Sequence, residues 1–132
     1  MALTLEIVTP RERVLTVEAD EVRAPGERGG FGVRPGHTPL VAALAPGELA
    51  YVTGGQTHRY AVGEGFAEVA DDRVRILVEE AFRVEELNAA EVQRELAERR
   101  QRLAQLKEGD PGYQQARAAV ERAAARVRAV GR

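Results

Sequence analysis

The apolar residues of this chain keep one period before Val84 and another after it, and that single change limits the chain to strands followed by helices. Before Val84, Leu3, Leu5 and Ile7 alternate with Thr4 and Glu6, and Val74, Ile76 and Val78 alternate with Arg73, Arg75 and Leu77. Tyr60 and Val62 follow His58 at the same spacing. Alternation sends one row of side chains to each face of an extended backbone, as in a half-buried strand. Pro10, Pro25-Gly26, Gly29-Gly30, Pro35-Gly36, Pro46-Gly47, Gly54-Gly55 and Asp71-Asp72 interrupt the runs about every ten residues, the rhythm of a sandwich or barrel. The pattern predicts an N-terminal antiparallel β-sandwich of about ten short strands over residues 1–85. Thr53-Gly54-Gly55-Gln56 is placed to turn one hairpin between two of them.

After Val84 no Gly or Pro occurs until Gly109. Asn88 can cap a first helix, with Glu91 three residues on and Leu87 and Val92 positioned to staple across it. Val92, Leu96, Leu103 and Leu106 then share one face, Arg99 interrupting, and Gly109 suits a left-handed cap. Asp110-Pro111 is expected to open a second helix, along which Tyr113, Ala116, Val120, Ala123, Val127 and Val130 repeat at spacings of three and four. Residues 86–132 are therefore expected to form a C-terminal antiparallel two-helix hairpin. Its seam is rich in alanine, which at roughly 25 cal/mol per Å² contributes far less than leucine would, so the hairpin should be able to open. Ala118, Ala125 and Ala129 give the second helix another smooth face, suited to a second packing partner.

With 132 residues, 44% hydrophobic and 30% charged, the chain can build one core plus a small appendage, but not a multi-domain enzyme. No run approaches the ~20 apolar residues that cross a bilayer, and Met1 to Thr9 lacks a basic stretch followed by an apolar one, so the chain is expected to stay where it is made. Cysteine is absent, which removes disulfides and thiolate chemistry. Charge is unevenly spread: residues 1–85 carry nine basic and fourteen acidic side chains, whereas residues 113–132 carry five arginines against Glu121 alone. A basic tail behind an acidic front predicts that the tail meets an acidic surface, either its own head or a partner.

No catalytic or metal site is expected. His37 and His58 are the only histidines and lie in unrelated segments. Gly29-Gly30-Phe31-Gly32 is not followed by the Lys-Ser/Thr of a phosphate loop. Asp71-Asp72 and Glu79-Glu80 read as solvated turn or edge charges. A binding module whose basic last helix docks on nucleic acid or another acidic partner is the alternative reading, disfavoured by the acidic body and by only 5% aromatic residues.

One segment is distinctive: Gly30-Phe31-Gly32-Val33-Arg34-Pro35-Gly36-His37-Thr38-Pro39-Leu40, followed by Ala43 to Leu49. It resembles the G-x-[FL]-G-[IV]-L-P-G-H-x-P-L signature of the epsilon subunits of bacterial F-type ATP synthases. Leu5 to Pro10 resembles that family's first strand and Gly65-Phe66-Ala67-Glu68-Val69 its G-G-F-x-E-V strand. The hairpin resembles its C-terminal domain, so the likeness runs through the chain in order. Arg34 stands where leucine is usual and Glu64 where glycine is usual.

The resemblance implies a non-catalytic central-stalk subunit, without cofactors, of a proton-translocating ATP synthase on the cytoplasmic face of the bacterial inner membrane. Its partners would be the gamma subunit, the c-ring and the catalytic β subunit. It would reach the membrane only through the complex, and would be a monomer when isolated. It implies that Arg34, Pro35, Gly36 and His37 edge the c-ring, whereas the local reading of His37 is a tight turn with the ring bonded to the backbone. It also implies that the hairpin can leave the sandwich and inhibit ATP hydrolysis, Arg122 and Arg126 meeting an acidic segment of the β subunit. The local alternative for those arginines is a solvated helix face. Some family members bind ATP through an [IL]-D-x-x-R-A motif; Leu87-Asn88-Ala89-Ala90-Glu91-Val92 departs from it at Asn88 and Glu91, so no nucleotide site is expected.

Overall fold

A computed structural model describes residues 2–132. Ten strands come first: β1 (Leu3–Val8), β2 (Arg13–Ala19), β3 (Glu21–Ala24), β4 (Phe31–Val33), β5 (Leu40–Leu44), β6 (Gly47–Thr53), β7 (Gln56–Val62), β8 (Gly65–Ala70), β9 (Arg73–Val78) and β10 (Ala81–Arg83). They form two five-stranded sheets, ordered β2-β1-β9-β8-β5 and β10-β7-β6-β3-β4. The period-two rows meet between them. Leu3, Leu5, Ile7, Val22, Val33, Leu49, Val74 and Ile76 are sealed in the core, as alternation requires of strands with one wet face.

Two local features follow from turn chemistry. Gly54 and Gly55 both take positive φ (58° and 79°), and Thr53 pairs with Gln56, the two-residue turn that suits the twist of a hairpin. Asp71 and Asp72 do the same between β8 and β9 (φ 52° and 57°), which aspartate tolerates better than most residues. The sheets are not wholly antiparallel: β1 pairs with β9 in parallel from Thr4↔Arg73 to Val8↔Leu77. The first and ninth strands are separated by the whole sandwich, so no hairpin dictates their direction.

A 3-10 turn (Val84–Glu86) leads to α1 (Ala89–Ala104) and α2 (Tyr113–Val130). The Asn88 side chain accepts from the Glu91 N–H at 2.9 Å, so the expected cap is formed. The far ends differ from expectation. α1 stops at Ala104, not Gly109, and α2 begins at Tyr113, not Asp110. The cause is the carboxylate of Asp110, which takes the Lys107 N–H at 2.7 Å and closes a turn of its own. Gly109 (φ 96°) and Gly112 (φ 85°) supply the left-handed backbone inside that longer connection.

α1 packs on α2, and α2 packs on β6, β7 and the 3-10 turn. Val92 and Leu96 on α1 and Ala116 and Ala123 on α2 are buried, as the seam predicts. The second alanine face is covered too: Ala125 and Ala129 are 2% exposed. They lie over the outer face of the second sheet, where Ala50 and Ala61 are buried.

Candidate functional site

Charge, not apolar area, organises the contact between α2 and the sandwich. Residues 122, 125, 126 and 129 fall on one side of a helix with 3.6 residues per turn, and the two arginines among them reach the corners at one end of the sheets. Arg122 grips Glu64 along one edge of its guanidinium, Nε to Oε1 at 2.9 Å and Nη2 to Oε2 at 2.6 Å. This parallel two-bond form is the strongest geometry for such a pair. Arg126 Nη1 is ion-paired with Glu80, and its guanidinium lies 5.3 Å from the centre of the Phe82 ring. Arg59 on β7 pairs with Glu48 on β6 and donates to the Ala129 carbonyl oxygen at 2.6 Å. Arg132 meets the other oxygen of Glu48 at 2.8 Å. The basic tail thus lies on its own acidic head, one of the two outcomes that the charge asymmetry predicts.

Arg126 is not on a solvated face. It is 4% exposed, and its Nη2 is buried without a hydrogen-bond partner. Glu80 is likewise more than a solvated edge charge, since it is the counter-ion of a buried guanidinium. The Arg122 hydrogen bonds hold the Glu64 carboxyl below its ordinary 4.5, against the opposing effect of partial burial, and the same contact raises Arg122.

The other predicted cluster sits elsewhere. Arg34 to His37 lie in the β4–β5 connection, beside the β8–β9 turn: the Gly36 N–H donates to Asp72 Oδ1 at 2.7 Å, and the Thr4 N–H donates to the Asp72 carbonyl. Gly36 has φ 87°, and the His37 Nδ1–H donates to the Thr38 carbonyl at 2.6 Å, as the tight-turn reading expects. Arg34 is largely exposed and reaches Glu21 at 3.5 Å. Strand directions put this loop, Asp20 and the Gly54-Gly55 turn at one end of the sandwich. Glu64 and Glu80 are in corners at the opposite end. The structure therefore does not bring Arg34 to His37 together with Arg122 and Arg126.

A third surface carries no signal in the sequence. Pairing of Ala43 with Phe66, Phe66 with Leu77 and Leu77 with Val8 places these residues and Val41 on the outer face of the first sheet. The helices lie on the other sheet, and Val41 and Phe66 are 72% and 55% exposed. Strand alternation marks such residues only as opposite to the core, which is why the sequence does not single them out. Among the described residues, no group of three or more His, Cys, Asp or Glu side chains is placed to hold a metal, and no helix is long and apolar enough to cross a membrane.

Comparison with known proteins gives one answer. Residues 2–84 match the family described as "ATP synthase, Delta/Epsilon chain, beta-sandwich domain". The chain is 52% identical to a protein of Anaeromyxobacter dehalogenans named ATP synthase epsilon chain, over the whole of both. It is 42% identical to the protein of that name from Myxococcus xanthus, over 95% of this chain and 92% of the other. Among solved structures, it is similar to a chain of the Euglena gracilis mitochondrial ATP synthase OSCP/F1/c-ring assembly, at 28% identity and a TM-score of 0.78, covering 94% of this chain and 78% of that one. A chain of the Tetrahymena thermophila mitochondrial ATP synthase central stalk and c-ring shares the fold at 14% identity and a TM-score of 0.64.

Proposed function

Because the chain belongs to the ATP synthase delta/epsilon chain family, we propose that it is the non-catalytic epsilon subunit of a rotary, proton-translocating ATP synthase. In this role it fixes the gamma subunit to the c-ring and restrains ATP hydrolysis through its C-terminal hairpin. It works on the cytoplasmic face of the bacterial inner membrane, held there by the complex.

The observation that carries this reading is the division of the sandwich into two unlike outer faces. One is covered by the hairpin and lined with charge. The other is uncovered and presents Val41, Phe66 and Leu77 beside the ion pairs that link Glu6, Arg75 and Glu68. An exposed apolar patch on a small charged protein marks a protein contact, and we assign it to gamma. The turn Arg34 to His37, exposed at one end and braced by Asp72, suits the c-ring edge. Arg122 and Arg126 would meet the acidic segment of the β subunit once the hairpin has left the sandwich. A nucleic-acid module is not favoured, because the arginines that would grip phosphates are already held by Glu48, Glu64 and Glu80.

The test is reconstitution. Membranes whose ATP synthase has been stripped of its epsilon subunit should regain ATP-driven proton pumping when this chain is added with the other subunits of its own organism. Failure to restore pumping would contradict the coupling role.

A further inference from the structure

Glu64 stands where the family pattern resembled by this chain has glycine, and the structure gives that departure a task. The backbone there does not call for glycine, since Asp71 and Asp72 are the only non-glycine residues with positive φ among those described. The side chain projects from the β7–β8 corner and takes the Nε/Nη2 edge of Arg122, 58 positions later in the sequence. Arg122 keeps 23% of its side-chain exposure and Glu64 40%, so the pair sits at the rim of the interface, where solvent or a competing carboxylate can reach it. Deeper in the same contact, Arg126 is sealed against Glu80 and Phe82.

From this arrangement we propose that Glu64 is a built-in latch: it keeps the hairpin on the sandwich by occupying Arg122, and so competes with any external acidic segment for the same guanidinium. The idea rests on the proposed movement of the hairpin but makes a claim of its own about the resting subunit. Glu64 holds the Nε/Nη2 edge of the Arg122 guanidinium, so a second carboxylate must displace Glu64 before it can take that edge. Glu64 therefore sets how readily α2 is given up. A chain with glycine at this corner lacks the contact, and its hairpin would be released more easily.

Hydrogen exchange of the full-length isolated subunit tests the latch without reference to the enzyme. Glu64→Gln and Glu64→Gly should speed exchange of the α2 amides about threefold to tenfold while the amides of β1, β8 and β9 keep their protection. Arg122→Gln should do the same, and the double variant Glu64→Gln with Arg122→Gln should be no faster than either alone, because both remove one interaction. Unchanged α2 exchange in Glu64→Gln, or additive effects in the double variant, would overturn the proposal. Hydrolysis by the assembled enzyme then separates the latch from the functional reading. Glu64→Gln, leaving Arg122 free for its other partner, should inhibit more strongly than the parent. Faster α2 exchange without stronger inhibition would support the latch and count against hairpin-mediated inhibition.

Discussion

The guanidinium of Arg126 lies 5.3 Å from the centre of the Phe82 ring while one of its nitrogens is paired with Glu80 and another is buried with no partner. A buried cation that is only partly satisfied is a poor source of net stability, because desolvation offsets most of the Coulomb attraction. It does fix one arrangement: with Ala125 and Ala129 contributing little burial, the charged contacts choose where on the sheet α2 lies. A hairpin held in this way is specific in position yet inexpensive to detach.

Two variants at this contact should separate packing from charge. Arg126→Ala removes the stem and leaves Glu80 to rehydrate, at a cost to docking on the order of 1–3 kcal/mol. Arg126→Met combined with Glu80→Gln keeps the stem over Phe82, discards the unpartnered nitrogen and leaves no uncompensated charge, so its effect should stay within about 1 kcal/mol. Native-state hydrogen exchange of α2 measures both, and an equal loss in the two variants would show that charge pairing dominates.

Removal of residues 86–132 should leave a cooperatively folding sandwich. Every strand of both sheets precedes that point, and the sealed core from Leu3 to Val78 contains no helix residue. The uncovered area at Ala50, Ala61 and Phe82 is small, so thermal unfolding followed by circular dichroism should keep a single sharp transition. A chain that melts without cooperativity would show that the hairpin is part of the folding unit.

The strands were legible in the sequence because period two maps one residue in two onto the core, and the Leu3-Leu5-Ile7 and Val74-Ile76-Val78 rows are buried as that rule demands. The helices were legible from their stripes, though their ends were not. Asp110 closes a turn that outcompetes the expected glycine cap, a contact invisible until the connection is folded. Least legible was the docking site. Arg122–Glu64, Arg126–Glu80 and Arg132–Glu48 join residues 46 to 84 positions apart, so no local spacing announces them. Only the acidic front and basic tail hinted that they existed.

Acid should loosen the hairpin before it unfolds the sandwich. Arg122 holds the docked Glu64 carboxyl below 4.5. A group whose pKa is lowered in one state stabilises that state above its ordinary pKa, and the contribution is lost as pH falls through the lowered value. Nuclear magnetic resonance titration should therefore show α2 resonances shifting below pH 4.5 while β1 and β9 stay native. A hairpin that remains docked until the strands themselves unfold would contradict the role given to this pair.

The isolated subunit should not bind ATP tightly. Asn88 serves as a helix cap and Glu91 places a carboxylate where ATP-binding members of the resembled family have a cation. Repulsion of polyphosphate and the lost charge-assisted bond, about 1.5–3 kcal/mol, should weaken binding by at least one to two orders of magnitude. Arg122 and Arg126 are already engaged by Glu64 and Glu80. Isothermal titration calorimetry should give no saturable isotherm at micromolar ATP; a micromolar site would mean that other hairpin residues have taken over the role.

The central claim, that the uncovered sheet face bearing Val41 and Phe66 seats gamma, is tested most directly by light scattering on the chain mixed with the gamma subunit of its own organism. The parent chain should give a stable one-to-one complex, and Phe66→Glu, with its folding intact by circular dichroism, should weaken it at least tenfold. No complex with the parent chain, or a complex indifferent to Phe66→Glu, would contradict the account.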